Sequence, residues 1–277
     1  MSTRPRPDYP LSGLAVVLFG VVFLVPFVFI VLTAGKTAQE SALLDFSWPT
    51  EWAFMANLQA VVEARDYLLI IAFINSTILT VASVTVVVIL AAMAGFVLQR
   101  RKSRFTRAAN LIILSGLVLP PAVVPTIWVL QRIGLFKTMP GLILVEIAYA
   151  MAFCVLLFQA FIAGIPKEMD EAATIDGAGP LSLFFRVVFP LLRPIIVTVV
   201  VVQTVFIWND FTSPLYFLPG DENATVQLTL FNFQGQYASS YNLLFMDILL
   251  VTVPPLIMFM IFQRQIVSGM VAGSVKG

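Results

Sequence analysis

Long uncharged apolar stretches alternate with short polar segments along this chain, and the apolar stretches have lengths that suit a bilayer. Roughly 20 apolar residues in a helix cross a hydrocarbon core. On that measure six spans are predicted, at residues 11–34, 74–99, 108–131, 141–164, 194–211 and 241–263. The first holds Pro26, which a membrane helix tolerates more easily than a soluble one. Arg4 and Arg6 ahead of it give the polarity of a signal peptide, but the apolar run is too long for one and is taken as a retained span. The uncharged stretch 67–99 exceeds one span, which puts its first residues at the outer surface and starts the second span near Ile74. Pro120, Pro121 and Pro125 crowd the outer half of the third, either to kink the helix or to expose carbonyls to a cavity.

The polar segments then give the chain a direction. Residues 36–66 are acidic, with Glu40, Asp45, Glu51, Glu63 and Asp66 against Lys36 and Arg65, and Trp48 and Trp52 suit the membrane interface. Arg100, Arg101, Lys102, Arg104 and Arg107 form the densest basic cluster and read as a topology signal. With six spans, twelve Lys and Arg fall on the side of that cluster and four on the other, namely Lys36, Arg65, Arg132 and Lys137. Both termini are therefore expected in the cytoplasm.

Composition agrees with a polytopic membrane protein: 60% of the 277 residues are hydrophobic and 11% charged, against about half and a quarter in soluble domains. The fold class expected is an all-α membrane protein, with residues 1–277 forming a single transmembrane domain. There is no histidine, and Cys154 is the one cysteine, so neither an internal disulfide nor a Cys/His metal site can form. Cys154 is read as packing. Gly35-Lys36-Thr37 looks like the end of a phosphate loop, but Ile30 stands where that motif needs its first glycine. Nucleic-acid binding has no support in the charge pattern.

Three carboxylates, Glu146, Asp210 and Asp247, fall near the outer ends of the fourth, fifth and sixth spans. Ionisable groups at membrane depth turn toward the protein interior or a wet cavity, which suggests a polar vestibule open to the outside; the alternative is that each marks the interfacial end of its helix, the reading favoured for Asp247. Around Asp210 the run Phe206-Ile207-Trp208-Asn209-Asp210-Phe211 mixes aromatic and hydrogen-bonding groups. Trp208, Asn209, Asp210 and Glu146 are the candidate lining of a pathway for a sugar or polyol, whose C–H faces stack on rings while its hydroxyls need partners. An interfacial aromatic belt is the alternative for the rings.

The polar interruption at residues 167–194 asks for a partner outside the lipid. Pro166 suits a helix's first turn, and Glu168, Asp170 and Glu171 favour its positive end. Gly177 and Gly179 then break the chain, and Pro180 opens a second short helix with Leu181, Phe184 and Phe185. A connector lying on the membrane surface would use the same pattern.

Glu171-Ala172-Ala173, three residues, Gly177, nine residues, Val187, one residue, then Phe189-Pro190 resembles the EAA loop of permease subunits in binding-protein-dependent ABC importers. That family has Ile at the position of Val187 and Leu at that of Phe189. Trp208-Asn209-Asp210-Phe211 and the closing run Gly269–Gly277 are similar to the second permease of maltose and glycerol-phosphate type importers, and the permease core would run over about 70–264. The resemblance implies a type I importer fold, with a cytoplasmic helix-turn-helix between spans four and five, in a bacterial or archaeal inner membrane. It implies a transport subunit with no catalytic site and no cofactor of its own. Its partners would be a second permease, two ATP-binding cassette subunits that hydrolyse ATP, and an extracytoplasmic solute-binding protein. Glu171, Ala172, Ala173, Gly177 and Pro190 would form the dock for the ATPase. The rival is an ion-coupled carrier or channel using Glu146, Asp210 and Asp247.

Overall fold

The computed structural model describes residues 9–234 and 240–274, and the elements over them are helical. Arg4, Arg6 and the closing Val275, Lys276 and Gly277 lie outside the described residues. In chain order the helices are α1 (Tyr9–Gly35), α2 (Ala38–Ser41), α3 (Phe54–Arg100), α4 (Arg104–Ser115), α5 (Val123–Arg132), α6 (Met139–Ile162), α7 (Glu168–Ile175), α8 (Pro180–Ser182), α9 (Phe189–Leu191), α10 (Arg193–Trp208), α11 (Thr212–Phe217), α12 (Val226–Thr229) and α13 (Tyr241–Ser274). A π-helical turn, Leu183–Val188, joins α8 to α9.

Four helices among the described residues are long and apolar enough to cross a membrane: Val17–Gly35, Phe54–Arg100, Met139–Ile162 and Tyr241–Gln263. The pair Pro180–Leu191 and Arg193–Trp208, bent by 77°, makes a fifth if taken together. The expected third span is not one helix. Its helix α4 ends at Ser115, residues 116–122 are a turn, and α5 starts afresh at Val123. Pro120 and Pro121 lie in that turn and carry no N–H for a helical ladder, whereas Pro125 sits in the first turn of α5, where none is needed. The prolines thus break the segment rather than kink it. The second span also starts earlier than expected. Helix α3 begins at Phe54 and runs through four non-helical residues, Ala64 to Tyr67, three of which have positive φ.

The molecule divides into two compact units, whose boundaries fall within α3, α12 and α13. The first comprises residues 1–69 and 229–252. Helix α1 exposes Val17, Leu18, Phe19, Val21, Val22 and Phe23, as a lipid-facing helix with no polar face does. At its end a polar knot orders the segment that follows. The buried Lys36 ammonium pairs with Asp45 Oδ1 at 2.6 Å and donates to the Asp45 carbonyl at 2.8 Å. Asn57 Nδ2 donates to the carbonyls of Ala34 and Lys36, and Asn242 Nδ2 donates to Asn57 Oδ1, each at 2.8 Å. A capping box between Thr37 and Glu40 starts α2, and Thr50 donates its amide and hydroxyl to the same carboxylate. Trp48 and Trp52 meet edge to face and stay largely exposed, as interfacial anchors would.

The Lys36 ammonium, and then the Ser47 hydroxyl, hold the Asp45 carboxyl down at about 2. A carboxyl with a depressed folded pKa stabilises above its unfolded value of about 3.9 and loses that contribution as pH falls toward the folded value. The 36–57 segment is therefore expected to keep its order at pH 5 and above and to loosen as pH drops from about 4 toward 2. Protease cleavage within residues 42–50, followed against pH, checks this. Asp45→Asn removes the transition in that window, and an unchanged cleavage profile for it contradicts the assignment.

The second unit comprises residues 70–228 and 253–277. Its core is α6, which buries Leu142, Val145, Cys154, Val155, Phe158 and Ile162 against the C-terminal half of α3 and against α10. Lipid tails are as apolar as these side chains, so close packing and buried polar contacts hold such helices together. Both are present. Gln159 Nε2 donates to Asn110 Oδ1 at 2.7 Å, tying α4 to α6. A Cβ on Gly95 would stand 2.9 Å from Phe158 Cβ and 3.3 Å from the Gln159 amide, so the two helices touch backbone to backbone there. Gly95→Val is expected to cost about 1–3 kcal/mol by overpacking, read as a lower unfolding midpoint in detergent. A midpoint equal to wild type would contradict that close approach.

Candidate functional site

Two features of the second unit lie toward opposite ends of α6. Sixteen residues separate Glu146 from Ile162, about 24 Å of helix at 1.5 Å per residue.

The first is an open cavity of about 650 Å³ between α6 and α10. Glu146, Tyr149, Ala150 and Phe153 line it from α6, at the spacing that keeps them on one helix face. Gln203, Phe206, Asn209 and Asp210 line it from α10 and its exit. The wall is mostly apolar with a few convergent polar groups, the usual make-up of a small-molecule site. Glu146 is 5% exposed and lies against Asp210 and Ser213, while its Oε1 has no hydrogen-bond partner. Asp210 accepts the Thr212 amide at 2.8 Å and the Ser213 amide at 3.3 Å, which fixes the turn into α11. Asn209 Nδ2 donates to the Val205 carbonyl at 2.8 Å, and its Oδ1 accepts from Gln227 Nε2 at 3.1 Å.

Of the sequence-predicted lining residues, Glu146, Asn209 and Asp210 meet in this cavity and Trp208 does not. Trp208 is buried on the other face of α10, edge-on to Phe73 with ring centres 5.8 Å apart. Tyr149, Phe153 and Gln203 were not singled out from the sequence. Counting three or four residues at a time from Glu146 and Asp210 would have found Tyr149, Phe153 and Gln203. Asp247, in the first two turns of α13, is fully buried in the first unit, beside Thr229. Cys154 is fully buried.

The second feature is the loop from α7 to α10. Glu168, Asp170 and Glu171 sit in the first turn of α7, with Lys167 as its N-cap, so Pro166 lies just ahead of the helix rather than in it. Gly177 has φ +84°, a left-handed conformation that lets the chain turn sharply after α7. Pro180 is the first residue of α8, as expected, but the helix then widens into the π turn and continues to Leu191 before the 77° bend. Phe184 is buried against Phe96, Phe185 and Phe189, which anchors this second half. Glu171, Ala172, Gly177 and Pro190 are exposed and Ala173 half-buried. Ile175 is 86% and Leu181 66% exposed, so the loop ends in an apolar tip with acidic groups beside it.

Over residues 87–272 the sequence matches the family described as binding-protein-dependent transport system inner membrane component. The chain belongs to that family. Among its relatives, the melibiose/raffinose/stachyose import permease MelC of Bacillus subtilis (strain 168) is 32% identical over 256 residues, which cover 91% of each chain. The diacetylchitobiose uptake system permease NgcG of Streptomyces coelicolor (strain ATCC BAA-471 / A3(2) / M145) is 32% identical over 276 residues, 96% of this chain and 88% of that one. A chain in the crystal structure of a bacterial ABC transporter that imports the acidic polysaccharide alginate superposes with a TM-score of 0.80 at 20% identity. The match covers 95% of this chain and 99% of that one. The permease thus has the fold of a type I ABC importer membrane subunit, and it is a multi-pass membrane protein.

Proposed function

We propose that this permease is one of two membrane subunits of an ATP-driven importer and that its cargo is a sugar or related polyol. The loop carries this reading: an apolar tip of Ile175 and Leu181 beside an exposed Glu171 supplies contact area and a charge for a partner protein. That partner is a cytoplasmic ATPase, whose ATP-driven closure moves the loop between two positions. Glu171, Ala172, Ala173 and Gly177 form the dock, and Pro190 ends the segment that returns to the bilayer. Both termini face the cytoplasm, and the membrane is a bacterial or archaeal plasma membrane. A solute-binding protein delivers the sugar from outside to the cavity, where Glu146, Asn209 and Asp210 accept or donate to hydroxyls and Tyr149 and Phe153 supply apolar faces. Carbohydrate cargo is supported by the names of both relatives above.

The test is purification of the permease from cells that express the whole transporter. An ATPase subunit is expected to co-purify, and Glu171→Ala is expected to remove ATP-dependent uptake. Purified permease that never retains an ATPase, together with normal uptake by Glu171→Ala, defeats the proposal. One observation favours an ion-coupled carrier instead: Glu146 and Asp210 lie against each other in one cavity. In that case uptake collapses with the electrochemical gradient while ATP is held constant.

A further inference from the structure

The basic cluster at residues 100–107 reads as a topology signal, but Arg100 does something its neighbours do not. Its Nε lies 2.6 Å from Asp170 Oδ2, and both side chains are nearly buried, at 11% and 15% exposed. The same guanidinium donates through Nη2 to the Ile165 carbonyl at 3.0 Å. One side chain thereby ties together the end of α3, the turn that leaves α6, and α7. Helix α7 packs on the π turn of its own loop, and a cavity of about 420 Å³, walled by Met93, Phe96, Val97, Thr174 and Leu181, lies between α3 and the loop. The second half of the loop meets α3 through rings, Phe96 and Phe184 having centres 5.7 Å apart.

We propose that the Arg100–Asp170 ion pair is the strut that carries a displacement of α7 into the second membrane span. The cavity interrupts direct packing of α7 on α3 and leaves the indirect route through the π turn and the Phe184–Phe96 contact, whereas a short, shielded ion pair held also by a backbone carbonyl resists being pulled apart. A guanidinium suits the task because its planar fork reaches the carboxylate and the carbonyl at once. Arg100 and Asp170 are positioning residues: neither touches the cargo cavity. The proposal rests on the importer reading above and adds to it that the strut stays intact throughout the cycle, so α7 and the end of α3 move as one body.

The assembled transporter in lipid vesicles provides the test, with sugar imported per ATP hydrolysed as the readout. Wild type, measured alongside, tests the importer reading by itself. Arg100→Gln and Asp170→Asn are each expected to lower sugar per ATP by about fivefold or more, within the usual range of coupling effects, with the ATPase subunit retained and the KM for ATP unchanged. Arg100→Cys/Asp170→Cys is expected to be equally uncoupled and to regain coupling when a thiol-reactive linker joins the two positions. The buried Cys154 is the only other thiol of this chain, so with cysteine-free partner subunits the linker acts at the introduced pair, and the same preparation before and after linking controls for folding. Wild-type sugar per ATP in the single variants overturns the strut. So does loss of the ATPase subunit in both, which would make the pair part of the dock, or a linked protein that stays uncoupled.

Discussion

Glu171→Arg is expected to lower ATP-driven uptake by about two orders of magnitude, the scale on which reversing one partner of a contact charge pair acts, while the permease still reaches the membrane in normal amount. The size of the effect and its specificity have separate causes. Glu171 is exposed, on the first turn of an eight-residue helix that already has Glu168 and Asp170 there. Its replacement leaves the permease fold nearly untouched, since exposed substitutions away from caps and networks shift stability by about 0.5 kcal/mol or less. At a protein interface the same carboxylate meets a partner group away from water, and reversing it leaves that group unpaired and repelled. Uptake and ATPase retention should therefore fall together while the thermal midpoint of the isolated permease stays put. A variant that keeps full uptake would show that the dock does not use this charge.

The contrast between Glu171 and Asp170 illustrates what could be learned from the sequence. Both are acidic residues in the first turn of α7, and their spacing from Gly177 and Pro190 is legible in one dimension. That Asp170 turns inward to Arg100 is not, because 70 residues separate them and nothing in the local pattern selects one of five clustered basic residues. Long-range pairing depends on how helices pack. The π turn at Leu183–Val188 and the 77° bend after it were equally hidden, since an apolar run with prolines at its ends fits either a straight or a bent path. Helices α1, α6 and α13 were legible from length and hydropathy alone. The third was legible in its breakers but not in its outcome, because prolines at a helix terminus and in a turn read alike until the caps are seen. In the cavity, charged residues stood out against an apolar background, whereas Tyr149, Phe153 and Gln203 did not. Trp208 shows the converse. One residue from Asn209 in sequence, it lies about 100° around the helix and packs on Phe73 instead.

On the proposed function these placements separate two tasks within one subunit. In the proposed importer the exposed groups of the loop meet a protein partner, so its substitutions should change assembly and coupling without changing apparent sugar affinity. The cavity has buried polar groups in an apolar wall, so its substitutions should change affinity without changing assembly. Reciprocal linkage joins the two, since a ligand that favours one arrangement of the loop must itself be bound better in that arrangement.

Asp210 is where the second task can be measured. Its carboxylate holds the turn into α11 by accepting two backbone amides, and it also lies against Glu146 at the cavity. Asp210→Asn keeps an oxygen for the amides, so the thermal midpoint should stay close to wild type. In the proposed cargo site it replaces a charge-assisted hydrogen bond to a sugar hydroxyl with a neutral one, and on that reading the KM for uptake should rise about tenfold. Asp210→Ala removes both functions. It should lower stability by about 1 kcal/mol, the usual loss for a capping oxygen, and reduce uptake at limiting sugar about a hundredfold, from lost cargo contact and a loosened turn together. The pair of variants decides between roles. If Asp210→Asn takes up sugar with wild-type KM while Asp210→Ala fails only through instability, Asp210 is a structural residue of the turn and the cavity's recognition rests on Glu146 and Asn209. A raised KM in Asp210→Asn with an unchanged maximal rate puts its charge in contact with the cargo, because only binding has been weakened.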